Sequence, residues 1–189
     1  MKENWKAGTM ISPVPAVMVS CGDIDGKKNI ITIAWTGTIC SEPAMCYISV
    51  RPERHSYEMI RTSGEFVINL TTAEMARATD WCGVRSGKDH NKFKEMHLTP
   101  EQGQIVKAPL IAESPLNIEC KIVEVKELGS HDMFIANVVA VNADEKLIDK
   151  NTGAFQLNHA HPLAYSHGKY YGLGEKIGSF GFSVAKRKK

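Results

Sequence analysis

NIITIAWTGTICSEPAMCYISVRPERHSY, residues Asn29 to Tyr57, is the stretch that decides the fold. Its first part, Ile30 to Trp35, is apolar and β-branched, broken by the hydroxyl of Thr32. Small and hydroxyl residues run from Thr36 to Ser41, Pro43 follows, and a second strand-like run occupies Met45 to Val50. Arg51-Pro52 ends that run, with Ser56 and Tyr57 just beyond. Short β-branched runs bounded by turn residues read as strands. Hydroxyl-bearing strands that lead into an arginine suit a phosphate-bearing ligand. The guanidinium offers a planar, bidentate fork, and the hydroxyls meet the remaining lone pairs.

On the N-terminal side, Val14 to Cys21 is apolar and stops at the turn Gly22-Asp23-Ile24-Asp25-Gly26. On the C-terminal side, Arg54 to Thr62 predicts a short helix and Glu65 to Leu70 a strand. Thr71-Thr72 with Glu74 predicts a helix start, the helix running to about Trp81. SGKDHNKF, Ser86 to Phe93, reads as a polar loop. Leu116 to Val125 alternates Ile118, Cys120 and Ile122 with Glu119, Lys121 and Glu124, a half-exposed strand. Gly129 to Asp132 turns the chain into Met133 to Val141, an apolar run expected to be buried on both faces. Pro162 to Ser166 and Lys169 to Leu173 flank His167-Gly168 as a tight hairpin. Many strands, short turns and two or three helices predict a mainly β protein. The expected architecture is a closed antiparallel barrel with helical insertions, in a single domain over residues 1–189.

Composition narrows the function. Apolar residues make up 43%, enough for a full core, and the formal net charge is only +2. No broad basic face is implied, so nucleic acid is not an expected partner. The basic run Lys186 to Lys189 reads as a solvated tail. No run approaches the roughly 18 apolar residues of a membrane span. MKENWKAG lacks an apolar leader core, and the five cysteines contain no C-x-x-C pair. Together these predict a cytoplasmic protein with reduced thiols. His159 and His161 share a strand face but lack a third ligand in register, so no metal is expected. Neither G-x-G-x-x-G nor a P-loop occurs, and no Ser-His-Asp spacing is legible.

Several segments together carry a family resemblance. They are PVPAVMVSCGDIDGKKNIITIAWTGTICSEPAMCYISVRPERHSY, VRSGKDHNKF, PLNIECKIVEV with GSHDMFIANVVAV, and HGKYYGLGE. In this order they resemble the flavin reductase-like, FMN-binding split-barrel proteins, nearest to the flavoredoxin subgroup. The resemblance implies a Greek-key split barrel, a homodimer, FMN near the dimer interface and NAD(P)H as co-substrate. It implies that Asn29 to Trp35, with Asn29, Ile30, Thr32, Ala34 and Trp35, runs along the isoalloxazine, and the hydroxyls of Thr32, Thr36 and Thr38 suit the ring edge or ribityl chain. Arg51, Ser56 and Tyr57 are implied to lie by the phosphate. Ser86, Gly87 and Lys92 are implied to close the site, and His167 to lie near the nicotinamide as the catalytic candidate. Three roles then compete: an NAD(P)H-dependent flavin reductase, an electron carrier reduced by a redox protein partner, and a protein that only binds flavin.

Overall fold

The computed structural model describes residues 1–184, so the basic run Lys186 to Lys189 lies outside the described residues. Strands β1 (Val14–Pro15), β2 (Val17–Gly22), β3 (Lys28–Ile33), β4 (Thr36–Cys40) and β5 (Met45–Val50) come first. Helix α1 (His55–Ser63), strand β6 (Glu65–Asn69), helix α2 (Ala76–Val84) and the short helix α3 (Lys92–Glu95) follow. After β7 (Pro100–Glu101) and β8 (Leu110–Ile111) come two long strands, β9 (Leu116–Glu127) and β10 (Asp132–Ala143). The hairpin β11 (Leu163–Ser166) and β12 (Lys169–Gly172) ends the ordered β structure.

Seven strands form one antiparallel sheet in the order β3-β2-β6-β9-β10-β5-β4. It curls but does not close, because β3 and β4 are its two edges and do not pair. The architecture is therefore a split barrel, where strand counting alone predicted a closed one. A second sheet, β1-β11-β12, sets the hairpin beside the barrel mouth through Val14 opposite Tyr165. At the hairpin tip His167 and Gly168 both take positive φ, 47° and 80°, as a tight two-residue turn requires.

The strand alternation separates an inner from an outer packing layer. Val17, Val19, Ile31, Ile33, Ile48, Phe66 and Phe134 face inward and pack on Tyr57 and Ile60 of α1. Met18 and Ile30 face outward and pack under α2 and α3 with Cys82 and Phe93. Burying each such side chain contributes about 1.5–3 kcal/mol. All five cysteines are unpaired, four of them buried. Among the described residues no helix is long and apolar enough to cross a membrane.

Several local expectations are corrected. Most of the run Thr36 to Ser41 forms β4, Thr36–Cys40, where Thr36, Gly37, Thr38 and Cys40 pair with β5 and a bulge falls at Ile39. Helix α2 starts at Ala76 because Thr71 to Ala73 are engaged elsewhere. Thr71 Oγ1 donates to Ala16 O, and Ala73 N donates to His161 O. The loop after Ser86 is cut short by α3, capped by Asn91 Oδ1 accepting from Lys94 N at 3.1 Å. Strand β10 is half-exposed in its second part, with Val141 at 50%.

Glu119 is the sharpest departure from the half-exposed pattern, being fully buried. Its carboxylate accepts from the amides of Gln104, Ile105 and Val106 at 2.7–2.9 Å and from Asn142 Nδ2 at 2.8 Å. Gly103 stands against it, where a Cβ would lie 2.8 Å from Oε2. Burial pushes this carboxyl up, but the four donors outweigh it and hold it below its ordinary range. A depressed folded value means the bonds stabilise the protein fully above the unfolded value of about 4.3, and that this is lost as acid protonates the folded carboxylate. Glu119→Gln should therefore destabilise by about 1–3 kcal/mol at neutral pH. The gap from wild type should shrink once the pH falls below about 4. Urea denaturation at both pH values checks this; a constant gap would mean the charge plays no part.

Candidate functional site

Two cavities share Ile31, Arg54 and Gly83 and so form one continuous cleft at the barrel's open seam. The larger, about 380 Å³, lies along the end of β3 and the two residues after it, Ala34 and Trp35. Opposite stand Asp80, Gly83 and Val84 of α2, and the hairpin contributes Tyr165, Gly168 and Tyr170. Ser49, Val50, Arg51 and His131 close the remaining side. Tyr165 and Tyr170 meet edge to face, centroids 5.5 Å apart. Burial and the nearby Arg51 and Arg54 charges outweigh Glu53 and push the His131 imidazole down.

The smaller cavity, about 250 Å³, is polar and cationic. It is bounded by Arg54, His55 and Ser56, the residues at the start of α1. No side chain caps that helix start; the Tyr57 amide donates to Arg54 O at 2.9 Å, which leaves the amides of His55 and Ser56 to face a ligand. Arg85, Ser86 and Gly87 face it from the end of α2, and Lys92 forms its floor. Asn29 Nδ2 donates to Ser56 Oγ at 2.9 Å and fixes that hydroxyl. Gly87 lies directly on the Asn29 amide, and a Cβ there would come 2.2 Å from Oδ1. Only glycine allows this approach.

Lys92 is buried, and its Nζ donates to Ile30 O at 2.7 Å and to Cys82 O at 2.6 Å. It thus ties β3 to the last turn of α2. Burial pushes its amine down to about 8. Burial likewise pushes the Cys21 and Cys82 thiols up to about 11. Among the described residues the only ion pairs are Arg51–Glu53 at 3.5 Å and His90–Glu95 at 3.1 Å. The cleft's other cations therefore lack carboxylate partners. The cleft can hold a ligand with a flat ring at one end and an anion at the other.

The cleft collects most of the residues singled out from sequence. Thr32, Ala34, Trp35 and Arg51 line the larger cavity, and Asn29, Ser56, Ser86, Gly87 and Lys92 the smaller. Four residues lie elsewhere. Ile30 turns its side chain into the outer core and only its carbonyl serves, as the Lys92 acceptor. Thr36 Oγ1 donates to Tyr47 O at 2.7 Å and borders neither cavity. Tyr57 is placed differently from the expectation of a phosphate neighbour. Two residues into α1, it faces the inner core, packs on Phe134 and donates to Asp132. His167 borders a neighbouring cavity of about 180 Å³ that shares Trp35 and Tyr165 with the larger one.

Arg54, Arg85, Asp80, His131, Tyr165 and Tyr170 also line the cleft and are not among the residues expected from sequence. One signal for Arg54 was present, since the predicted helix began there and helix starts attract anions. Asp80, Arg85 and His131 carry no such local signal, because only the tertiary fold brings them to β3.

A sequence model described as "Flavin reductase like domain" matches residues 9–174. The solved flavoredoxin of Desulfovibrio vulgaris (Miyazaki F) is similar over 98% of this chain and 100% of its own, with 32% identity and a TM-score of 0.89. A flavoredoxin from Methanosarcina acetivorans gives 25% identity and a TM-score of 0.87, covering 98% of this chain and 100% of its own. The reductase component of a Rhodococcus opacus 4-nitrophenol monooxygenase is 25% identical over 146 residues, 77% of this chain and 68% of that protein.

The Gly87 contact gives a local test. Asn29 is buried and bonded to Ser56, so it cannot swing aside freely. Gly87→Ala should lower stability by about 1–3 kcal/mol, the range for forced overpacking. Thermal melts of the purified variant check this; an unchanged melting temperature would mean the loop yields without loss.

Proposed function

The chain belongs to the flavin reductase-like domain family, and from that premise we propose that it binds FMN in this cleft and uses it to pass electrons. The observation that carries the reading is the cleft's polarity along its length. Ile31, Ile33, Ala34 and Trp35 give the larger cavity an apolar wall suited to a flat ring. The start of α1 with Arg54, Arg85, Ser56, Ser86 and Lys92 gives the smaller cavity the donors a terminal phosphate needs. The shared residues Ile31, Arg54 and Gly83 mark where a ribityl chain would pass.

When bound, FMN supplies hydride and single-electron exchange. The chain holds the ring plane with β3 and Trp35 and draws the phosphate with the cationic end. Arg51 and His131 at the mouth, with His167 on the hairpin beside Trp35 and Tyr165, suit an anionic nicotinamide nucleotide as the donor. In a second reading the chain is an electron carrier reduced by a protein partner. Its likeness to two flavoredoxins over nearly the whole chain favours that reading. Anaerobic mixing with NADH or NADPH separates them: rapid bleaching of flavin absorbance supports the reductase, and bleaching only by a reduced redox protein supports the carrier.

We also infer a homodimer. Trp5, Ile177 and Phe180 are 81%, 93% and 109% exposed, and Val123 and Val141 on the long strands are about half-exposed. A partner copy would cover these apolar side chains. Light scattering should give twice the chain mass; a monomer at every accessible concentration with flavin bound would contradict it.

Arg54 spans both cavities, whereas Arg51 is turned toward Glu53 at the rim. Arg54→Ala should weaken FMN by about 1–3 kcal/mol, the scale of a charge-assisted bond, and riboflavin far less. Arg51→Ala should cost FMN less than Arg54→Ala. Fluorescence-quenching titrations with both flavins check this; equal losses for FMN and riboflavin would remove Arg54 from the phosphate site. His167→Ala should slow reduction by NAD(P)H by about 1–2 kcal/mol with FMN affinity unchanged, if its ring positions the nicotinamide. Stopped-flow rates equal to wild type, with flavin saturated, would exclude that role.

A further inference from the structure

We propose that the smaller cavity takes up a phosphate monoester together with a proton, and that Lys92 is the group that carries it. This rests on the flavin reading for the identity of the ligand but not for the chemistry of the cradle. The geometry is the starting point. Lys92 Nζ is buried and has two neutral acceptors, the carbonyls of Ile30 and Cys82. An ammonium has three N–H donors, so one remains for the cavity that Lys92 borders. No carboxylate of the described residues lies within ion-pair distance of it.

A buried ammonium without a counter-ion is costly, and neutralising itself is the usual escape. Burial outweighs the neighbouring groups, of which Cys82 and Cys21 favour the charged amine and Arg54 opposes it. From β2, Cys21 is pushed up to about 11 by burial, and from α2, Cys82 likewise, so neither thiol supplies a negative charge near neutral pH. From the entry to α1, Arg54 repels the ammonium, and burial is the larger effect in setting its value near 8. Arg85 and His55 line the same cavity and add no negative charge. Glu53 borders the cavity but is exposed, and its nearest cation is Arg51. The empty cradle is thus only partly charged in mildly alkaline solution. A phosphate dianion placed beside it supplies the missing counter-charge and holds the proton on Nζ.

The sign follows from this. Below about pH 8 the empty cradle already carries the proton, and affinity does not depend on it. Above that value binding must draw a proton from solution, so affinity falls by up to tenfold for each pH unit. Below about pH 6 a phosphate monoester loses its second charge and affinity falls for that reason. The cradle is therefore selective for a dianion within a window of roughly two pH units.

The test measures FMN, riboflavin and inorganic phosphate from about pH 7 to about pH 9 in wild type and Lys92→Arg. Wild type should lose about tenfold in FMN affinity across that range while riboflavin changes little. Lys92→Arg keeps its charge and should give a flat profile. Calorimetry of wild type at about pH 8, in two buffers of different ionisation enthalpy, should show about half a proton taken up per FMN. That measurement decides the matter alone if Lys92→Arg does not fold. A flat wild-type profile, no proton uptake, or a Lys92→Arg profile with the wild-type slope overturns the proposal. Proton-linked binding of phosphate without binding of FMN would keep it and overturn the flavin reading instead. A protein that binds neither overturns both.

Discussion

The unclosed seam between β3 and β4 is the constraint on which the rest of the molecule depends. A closed barrel has no free edge. Here β3 and β4 are consecutive in sequence yet stand at opposite ends of the sheet order. Only Ala34 and Trp35 connect them, so these two residues must cross the gap. On the β4 side the ladder to β5 runs one residue into the crossing, Ser49 N donating to Trp35 O at 2.9 Å. The crossing residues and the exposed end of β3 form one wall of the larger cavity. The cleft is thus a consequence of topology before any side chain is chosen.

Two sets of helices then shape that seam from opposite sides. Helix α1 buries Tyr57 and Ile60 inside the half-barrel, which leaves its N-terminus at the cleft. Helices α2 and α3 pack on the outer faces of Met18 and Ile30 and bring Arg85, Ser86 and Lys92 to the same place. The chain carries a net charge of only +2, yet four cationic side chains line the cleft against Glu53 and Asp80. The positive charge is concentrated by folding and not by composition. That is why a weakly charged sequence can present an anion site.

Much of this was legible in the sequence, and what was not has specific causes. The strands, the helix after Arg51 and the HG hairpin follow from local propensity and turn chemistry, which a sequence displays directly. Strand β4 was hidden because its residues are small hydroxyl types, and pairing with β5 decides their state. Glu119 read as a solvent-facing residue because alternation assigns faces but cannot see a loop covering one of them. Tyr57 and Arg54 show the limit most clearly. Both lie in RPERHSY, three residues apart. Proximity in sequence suggested that Arg51, Ser56 and Tyr57 act together, but helix geometry sends Tyr57 inward and leaves Arg54 at the cleft. The resemblance located the segment; only the helix phase could assign the side chains.

Lys92 joins the stability of the fold to its chemistry. The amine replaces what an apolar residue at this position would do, since it sits under α2 beside Phe93 and Cys82 in the outer core region. An apolar side chain there would bury no charge, but it would leave the Ile30 and Cys82 carbonyls without these donors. The lysine satisfies both carbonyls and accepts, in exchange, a charge that the empty protein cannot neutralise with a carboxylate. A carboxylate placed nearby would relieve that strain on the empty state, and it would also occupy the cradle and repel a phosphate. The unpaired cation is thus the form in which the site keeps its affinity for an anion, at the expense of stability when nothing is bound.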